Sequence, residues 1–200
     1  MTARLASRTA IAAIAAIALA GSLAPGAAAA GGTPAPATTP AATRCDAALR
    51  DYVFHTVDGR SVTLAQLSGE VVVINLWASW CLPCRRELPG LDALNRELAA
   101  GRAGARGRVL AVSIDDDREN AKRFVAEHRL SLPIYYDGPE GLARRLDLDR
   151  VPTTIVVDRD GHVAGIHAGG DGAALAAAAA EARRLVATHT AAASTEGGTP

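Results

Sequence analysis

Two apolar runs dominate the middle of the chain: Val71 to Trp77, and Val109 to Ile114 within Arg108 to Asp115. Runs of this kind, with almost no polar alternation, fit strands covered on both faces. Between them Leu88, Leu91, Leu94 and Leu98 recur at helical spacing. Pro89 falls inside that pattern and is expected to kink the helix. Arg118 to His128 reads as a charged amphipathic helix. Leu132 to Tyr136 reads as a short strand whose proline places it at a sheet edge. Pro139 to Leu146 predicts a short helix, and Ala173 to Val186 an alanine-rich terminal helix. Asp58-Gly59 separates Tyr52-Val53-Phe54 from Ser61-Val62-Thr63, which predicts a hairpin. Asp160-Gly161 does the same between Thr153–Val157 and His162–Ile166. This order predicts an α/β sandwich with a mixed central sheet flanked by helices.

The ends of the chain follow a different rule. Arg4 and Arg8 precede an uncharged run of Ala, Ile and Leu from Thr9 to Ala20, and Pro25-Gly26 breaks it. Ala27 to Ala30 then offers small-residue cleavage sites, so residues 1–30 read as a secretory signal peptide. The apolar run is shorter than the ~20 residues a spanning helix needs, which favours a cleaved leader over a retained membrane anchor. Residues 31–43 are Gly, Thr, Pro and Ala and read as a disordered linker. Residues 188–200 read as a frayed tail. The globular domain is expected over 44–187.

The 21 basic and 21 acidic residues balance, so no net field argues for nucleic acid or an anionic membrane. Without Arg4 and Arg8, 19 basic residues face 21 acidic ones.

Three cysteines carry the candidate chemistry. Cys81 and Cys84 lie two residues apart, after the first strand and before the leucine helix. The start of a helix offers unpaired N–H groups and a partial positive charge, both of which favour a thiolate. A Cys-x-x-Cys pair has other readings. As half a zinc site it lacks the usual second pair, leaving Cys45 and five scattered histidines to complete it. A c-type haem attachment would need His where Arg85 stands. A structural disulfide across so short a loop would stabilise little. Placement at a strand-to-helix junction favours redox chemistry, more so in an exported protein. Cys45 is a free thiol, a site of intermolecular pairing or a spectator. Its neighbours Ala42-Thr43-Arg44 do not form a lipoprotein signal. His55, His128, His162, His167 and His189 show no ligand spacing and read as surface or packing residues.

From Val73 to Pro89 the sequence VINLWASWCLPCRRELP resembles the active-site segment of the thioredoxin superfamily. More narrowly, it resembles exported TlpA-like and ResA-like thiol-disulfide oxidoreductases. The similarity runs from about residue 51 to 187 and includes a second motif, Val151-Pro152-Thr153. It implies a thioredoxin-like three-layer sandwich with an added N-terminal hairpin. It also implies a redox-active disulfide between Cys81, the exposed nucleophile, and Cys84, the buried resolving thiol. Trp80 would cover the pair on one side, although simple packing explains a tryptophan there equally well. Pro152 would be cis and face the pair, keeping metal away and shaping the groove for substrate backbone; without the cysteine motif it reads as a trans proline opening a strand. Val151 would pair with an extended substrate chain through its backbone. Glu87, three residues after Cys84, stands where ResA-like proteins carry an acid that tunes the thiols; otherwise it is a solvated helix residue. Asn75 stands where thioredoxin carries a buried acid, which favours a specialised role over general disulfide reduction.

The resemblance implies an exported, periplasmic enzyme without cofactor or bound metal. It would pass electrons to disulfides of other exported proteins, such as apocytochrome c or copper-site assembly proteins, and be recharged by a membrane thiol reductase. Leu82-Pro83 brings no cation that would strongly stabilise the reduced thiolate, which favours a reducing role. The competing class is a copper or zinc chaperone on the same fold, disfavoured by the cysteine spacing. A peroxidase shares the fold but not that spacing.

Overall fold

The structure, a computed structural model, describes residues 46–101, 106–137 and 141–195. The expected leader, linker and Cys45 lie outside the described residues. Seven strands of the described residues form one mixed sheet: β1 (Val53–Thr56), β2 (Ser61–Thr63), β3 (Val71–Trp77), β4 (Gly107–Ser113), β5 (Ile134–Tyr136), β6 (Thr153–Val157) and β7 (Val163–Ala168). Their order across the sheet is β2-β1-β5-β4-β3-β6-β7. The three central strands β5, β4 and β3 run parallel. The β1–β2 and β6–β7 hairpins add antiparallel strands on either side. Every residue of β3 is buried, as its unbroken apolar run requires. Helices among the described residues include α1 (Leu82–Ala99), α2 (Arg118–His128), α3 (Leu142–Arg145) and α4 (Ala173–Thr195).

The alternation of β3 divides the core in two. Val71, Val73 and Trp77 pack with Leu88, Leu91, Leu94 and Leu98 of α1, Phe124 of α2 and Ala178 and Ala182 of α4. Val72, Ile74 and Leu76 pack on the other face with Leu49, Phe54, Leu142 and Leu146. Helix on sheet on helix gives the three layers.

The sequence places most of these elements, with two corrections. The strand expected at an edge, β5, is interior: β1 pairs with it through His55↔Tyr136 and Thr56↔Tyr135. Pro133 precedes the ladder, so its missing N–H costs no bond there, while the N-terminal hairpin covers that side. The edges are β2 and β7. The terminal helix passes the expected end at Val186 and runs to Thr195, so residues 188–195 of the expected tail are helical. Its alanine content carries the helix that far. Helix α1 continues through Pro89.

Candidate active site

The site forms where β3 ends and α1 begins. Cys81 is the N-cap of α1, with extended backbone angles, and Pro83 lies in the first turn, where an N–H has no helical partner. Cys81 and Cys84 are joined by a disulfide, with Cα atoms 5.3 Å apart. The Cys84 N–H donates to Cys81 Sγ at 3.2 Å. One orphan donor of the helix start therefore already points at the sulfur that would carry thiolate charge. Cys84 is 1% exposed and Cys81 7%, so Cys81 is the less deeply buried of the two. The expected exposed nucleophile is thus mostly covered.

The facing wall is the start of β6. The Val151–Pro152 bond is cis, and the Val151 carbonyl oxygen lies 3.8 Å from Cys81 Sγ. The Pro152 carbonyl accepts from Gly169 N–H at 3.1 Å, which ties in the loop between β7 and α4. Gly170 in that loop passes so close that a Cβ would stand 2.4 Å from Pro83 Cβ and 3.3 Å from Pro152 Cδ. Trp80 is 67% exposed, and Leu82 beside it is 53% exposed. Trp80 lines a groove of about 290 Å³ with Leu76, Ile114, Leu148 and Val151.

Glu87 is buried beneath the same assembly, not solvated. It lies one turn beyond Cys84 on the same face of α1. Burial pushes its carboxyl above the usual carboxylate range, the Gly172 N–H opposes that shift, and the Asp171 charge adds to it. Its Oε1 is buried without a hydrogen-bond partner. Asn75 is buried in β3 and donates from Nδ2 to Thr154 Oγ1 at 3.0 Å.

Two residues at the site escape sequence reasoning. Asp115, just past β4, accepts from the Ser79 N–H and hydroxyl in the segment leading to Cys81. It closes the expected strand run Arg108 to Asp115 and opens Asp115-Asp116-Asp117. Gly170 lies in a Gly-Gly-Asp-Gly run that reads as an ordinary turn. Among the histidines, His167 pairs with Glu181 at 2.8 Å, on α4. Among the described residues, no group of three or more His, Cys, Asp or Glu is arranged to hold a metal ion.

Comparison with known proteins agrees with this geometry. Thiol-disulfide oxidoreductase ResA of Halalkalibacterium halodurans is 29% identical over 120 residues, covering 60% of this chain and 66% of that protein. Thioredoxin-like protein YneN of Bacillus subtilis is 31% identical over 122 residues, covering 60% and 68%. The chain thus spans about two thirds of the length of these curated relatives. Among solved structures, a secreted thiol-disulfide isomerase from Corynebacterium glutamicum superposes with a TM-score of 0.52 at 34% identity, covering 59% of this chain and 74% of that one. Residues 30–182 match the family model described as Redoxin. With most of the chain matched and its Cys-x-x-Cys pair set against cis Pro152, the protein belongs to the Redoxin family and has a thioredoxin fold related to ResA-type thiol-disulfide oxidoreductases.

Proposed function

We propose that the protein is an exported thiol-disulfide oxidoreductase that reduces disulfides in client proteins through Cys81 and Cys84. The observation that carries this reading is the Cys81–Cys84 disulfide at the helix start, set against cis Pro152. Cys81 lies beside the Val151 carbonyl edge, and of the two residues it is the less deeply buried.

In the reduced protein, the Cys81 thiolate attacks one sulfur of a client disulfide. A Cys81–client bond forms, the client S–S bond breaks and the second client sulfur leaves as a thiolate. The Cys84 thiolate then attacks Cys81 Sγ, closes the Cys81–Cys84 disulfide and releases the first client thiol. Two electrons pass from the pair to the client. A thiol reductant returns them, by resemblance a membrane reductase. The Cys84 N–H stabilises the attacking thiolate. An extended client chain lies along Val151 and Pro152 through backbone hydrogen bonds, and the Trp80 groove receives neighbouring side chains. Glu87, held toward its neutral form by burial, accepts or returns a proton as the buried thiol changes state. Apocytochrome c and copper-site assembly proteins are the expected client classes. The N-terminal residues 1–30 export the chain or anchor it. Among the described residues, no helix is long and apolar enough to cross a membrane.

The test is catalytic reduction of a disulfide-bonded polypeptide with a dithiol as electron source. The parent protein should accelerate it, and Cys81→Ser should abolish the acceleration. A parent as inert as the variant would overturn the assignment. The direction of flow has its own measurement: a reduction potential near that of strong oxidants, on the order of −120 mV, would contradict the reducing role.

A further inference from the structure

Asp115 takes no part in the exchange chemistry, yet it is a carboxylate only 2% exposed beside the active-site segment. A buried carboxylate costs folding free energy unless hydrogen bonds compensate it. Here they do, and they converge on one place. The Ser79 N–H lies 3.1 Å from each carboxylate oxygen, and the Ser79 hydroxyl donates to Oδ1 at 2.7 Å. The Ser113 hydroxyl donates to Oδ2 at 2.7 Å, and the Asp115 N–H donates to Ser113 Oγ at 3.1 Å, which fixes the carboxylate on the end of β4. Bonds to an ionised acceptor are roughly twice as strong as neutral ones.

Ser79 is the second residue of a turn closed by the Cys81 N–H to the Ala78 carbonyl at 3.1 Å. One residue before that turn, the Ile114 N–H donates to the Trp77 carbonyl at 2.8 Å. The chain therefore leaves β3 tied to β4 at Trp77, is tied again at Ser79, and arrives at Cys81 as the N-cap of α1. There the sulfur must meet the Cys84 N–H and the Val151 edge together.

We propose that Asp115 is a positioning residue for the Cys81 nucleophile: by clamping Ser79 to the end of β4, it holds the turn that delivers the Cys81 sulfur to the Cys84 amide and the Val151 edge. This rests on Cys81 being the nucleophile. Holding the turn keeps the amide on the thiolate and favours its formation. The negative charge of Asp115 acts in the opposite sense, by disfavouring a second anion nearby. Asp115→Ala removes clamp and charge. Asp115→Asn removes the charge but keeps an acceptor of the same shape for Ser79. The difference between the two variants reads the clamp alone, and Glu87, the α1 acid three residues beyond Cys84, is unchanged in both.

The experiment follows alkylation of Cys81 by iodoacetamide against pH, in the chain carrying Cys45→Ser and Cys84→Ser, with thermal unfolding measured alongside. The midpoint of thiolate formation should lie about one pH unit higher with Asp115→Ala than with Asp115→Asn, as loss of one hydrogen bond to a charged group implies. At neutral pH this is roughly a tenfold lower thiolate fraction. Coincident midpoints, with only the unfolding temperatures differing, would reduce Asp115 to a structural residue and overturn the proposal. If Asp115→Ala does not fold, Ser79→Ala and Ser79→Thr carry the same comparison. Loss of the hydroxyl should raise the midpoint and its retention should not, and equal midpoints again overturn the proposal. A parent Cys81 that resists alkylation up to pH 10 would overturn the nucleophile assignment and this proposal with it.

Discussion

Glu87 shows how burial changes what a residue can do. Its folded carboxyl titrates above the ordinary carboxylate range because burial disfavours the charge. The folded chain therefore holds this proton more tightly than the unfolded chain. Glu87 contributes its stability below the ordinary carboxyl value and loses it as pH rises through the folded value. Glu87→Gln should be more stable than the parent at pH 7, with the gap closing toward pH 4. Chemical denaturation at the two pH values checks this, and a gap that widens at pH 4 would contradict it. The sequence shows the residue and its position three beyond Cys84, but helical spacing alone does not settle whether that face meets solvent. Gly172 and Asp171, distant in sequence, are neighbours that act on its carboxyl. Trp80, expected to cover the cysteines on one side, is two thirds exposed and lines the groove beside Val151. Asp115 escaped notice because two further acids follow it, and only the register of β3 on β4 brings it to Ser79. Cys81, Cys84 and Pro152 were legible because spacing and resemblance name them directly.

The site is made from ends of elements, not their middles. The end of β3 delivers the cysteine, the start of α1 supplies the amide, the start of β6 supplies the facing carbonyl, and the β7–α4 loop closes the side. Gly170 is the tightest of these junctions, because any side chain there meets Pro83 and Pro152. Gly170→Ala should destabilise the fold by about 1–3 kcal/mol, the usual cost of overpacking, and should slow disulfide exchange by displacing the wall from Cys81. Paired unfolding and insulin-reduction assays check both effects; unchanged values in both would mean the loop adjusts freely. The long regular elements were the most legible. Helix α2 has the bounds its charge pattern predicts, and β3 is buried as its apolar run requires. Strand β5 was misplaced because local sequence sees a proline but not a partner. Its pairing with β1 depends on a hairpin about eighty residues earlier.

For the whole molecule, that hairpin is a structural part of the sheet. Phe54 is fully buried and sits edge-on to Tyr52, with ring centroids 4.9 Å apart, and to Tyr135 of β5 at 6.2 Å. Phe54→Ala should cost about 3–5 kcal/mol, lowering the unfolding temperature on the order of 10 °C for a chain of this size. A shift of a degree or less would mean that the hairpin is only loosely attached. The layered fold places Cys81, the less buried of the two cysteines, at the helix start beside the Val151 edge. Its role as the nucleophile is tested most directly by incubating reduced Cys84→Ser with a disulfide-bonded peptide and mapping the adduct by mass spectrometry. The prediction is a stable mixed disulfide on Cys81, with no comparable adduct on Cys84 in Cys81→Ser. An adduct confined to Cys45, or equal trapping by Cys84 when Cys81 is replaced, would contradict it.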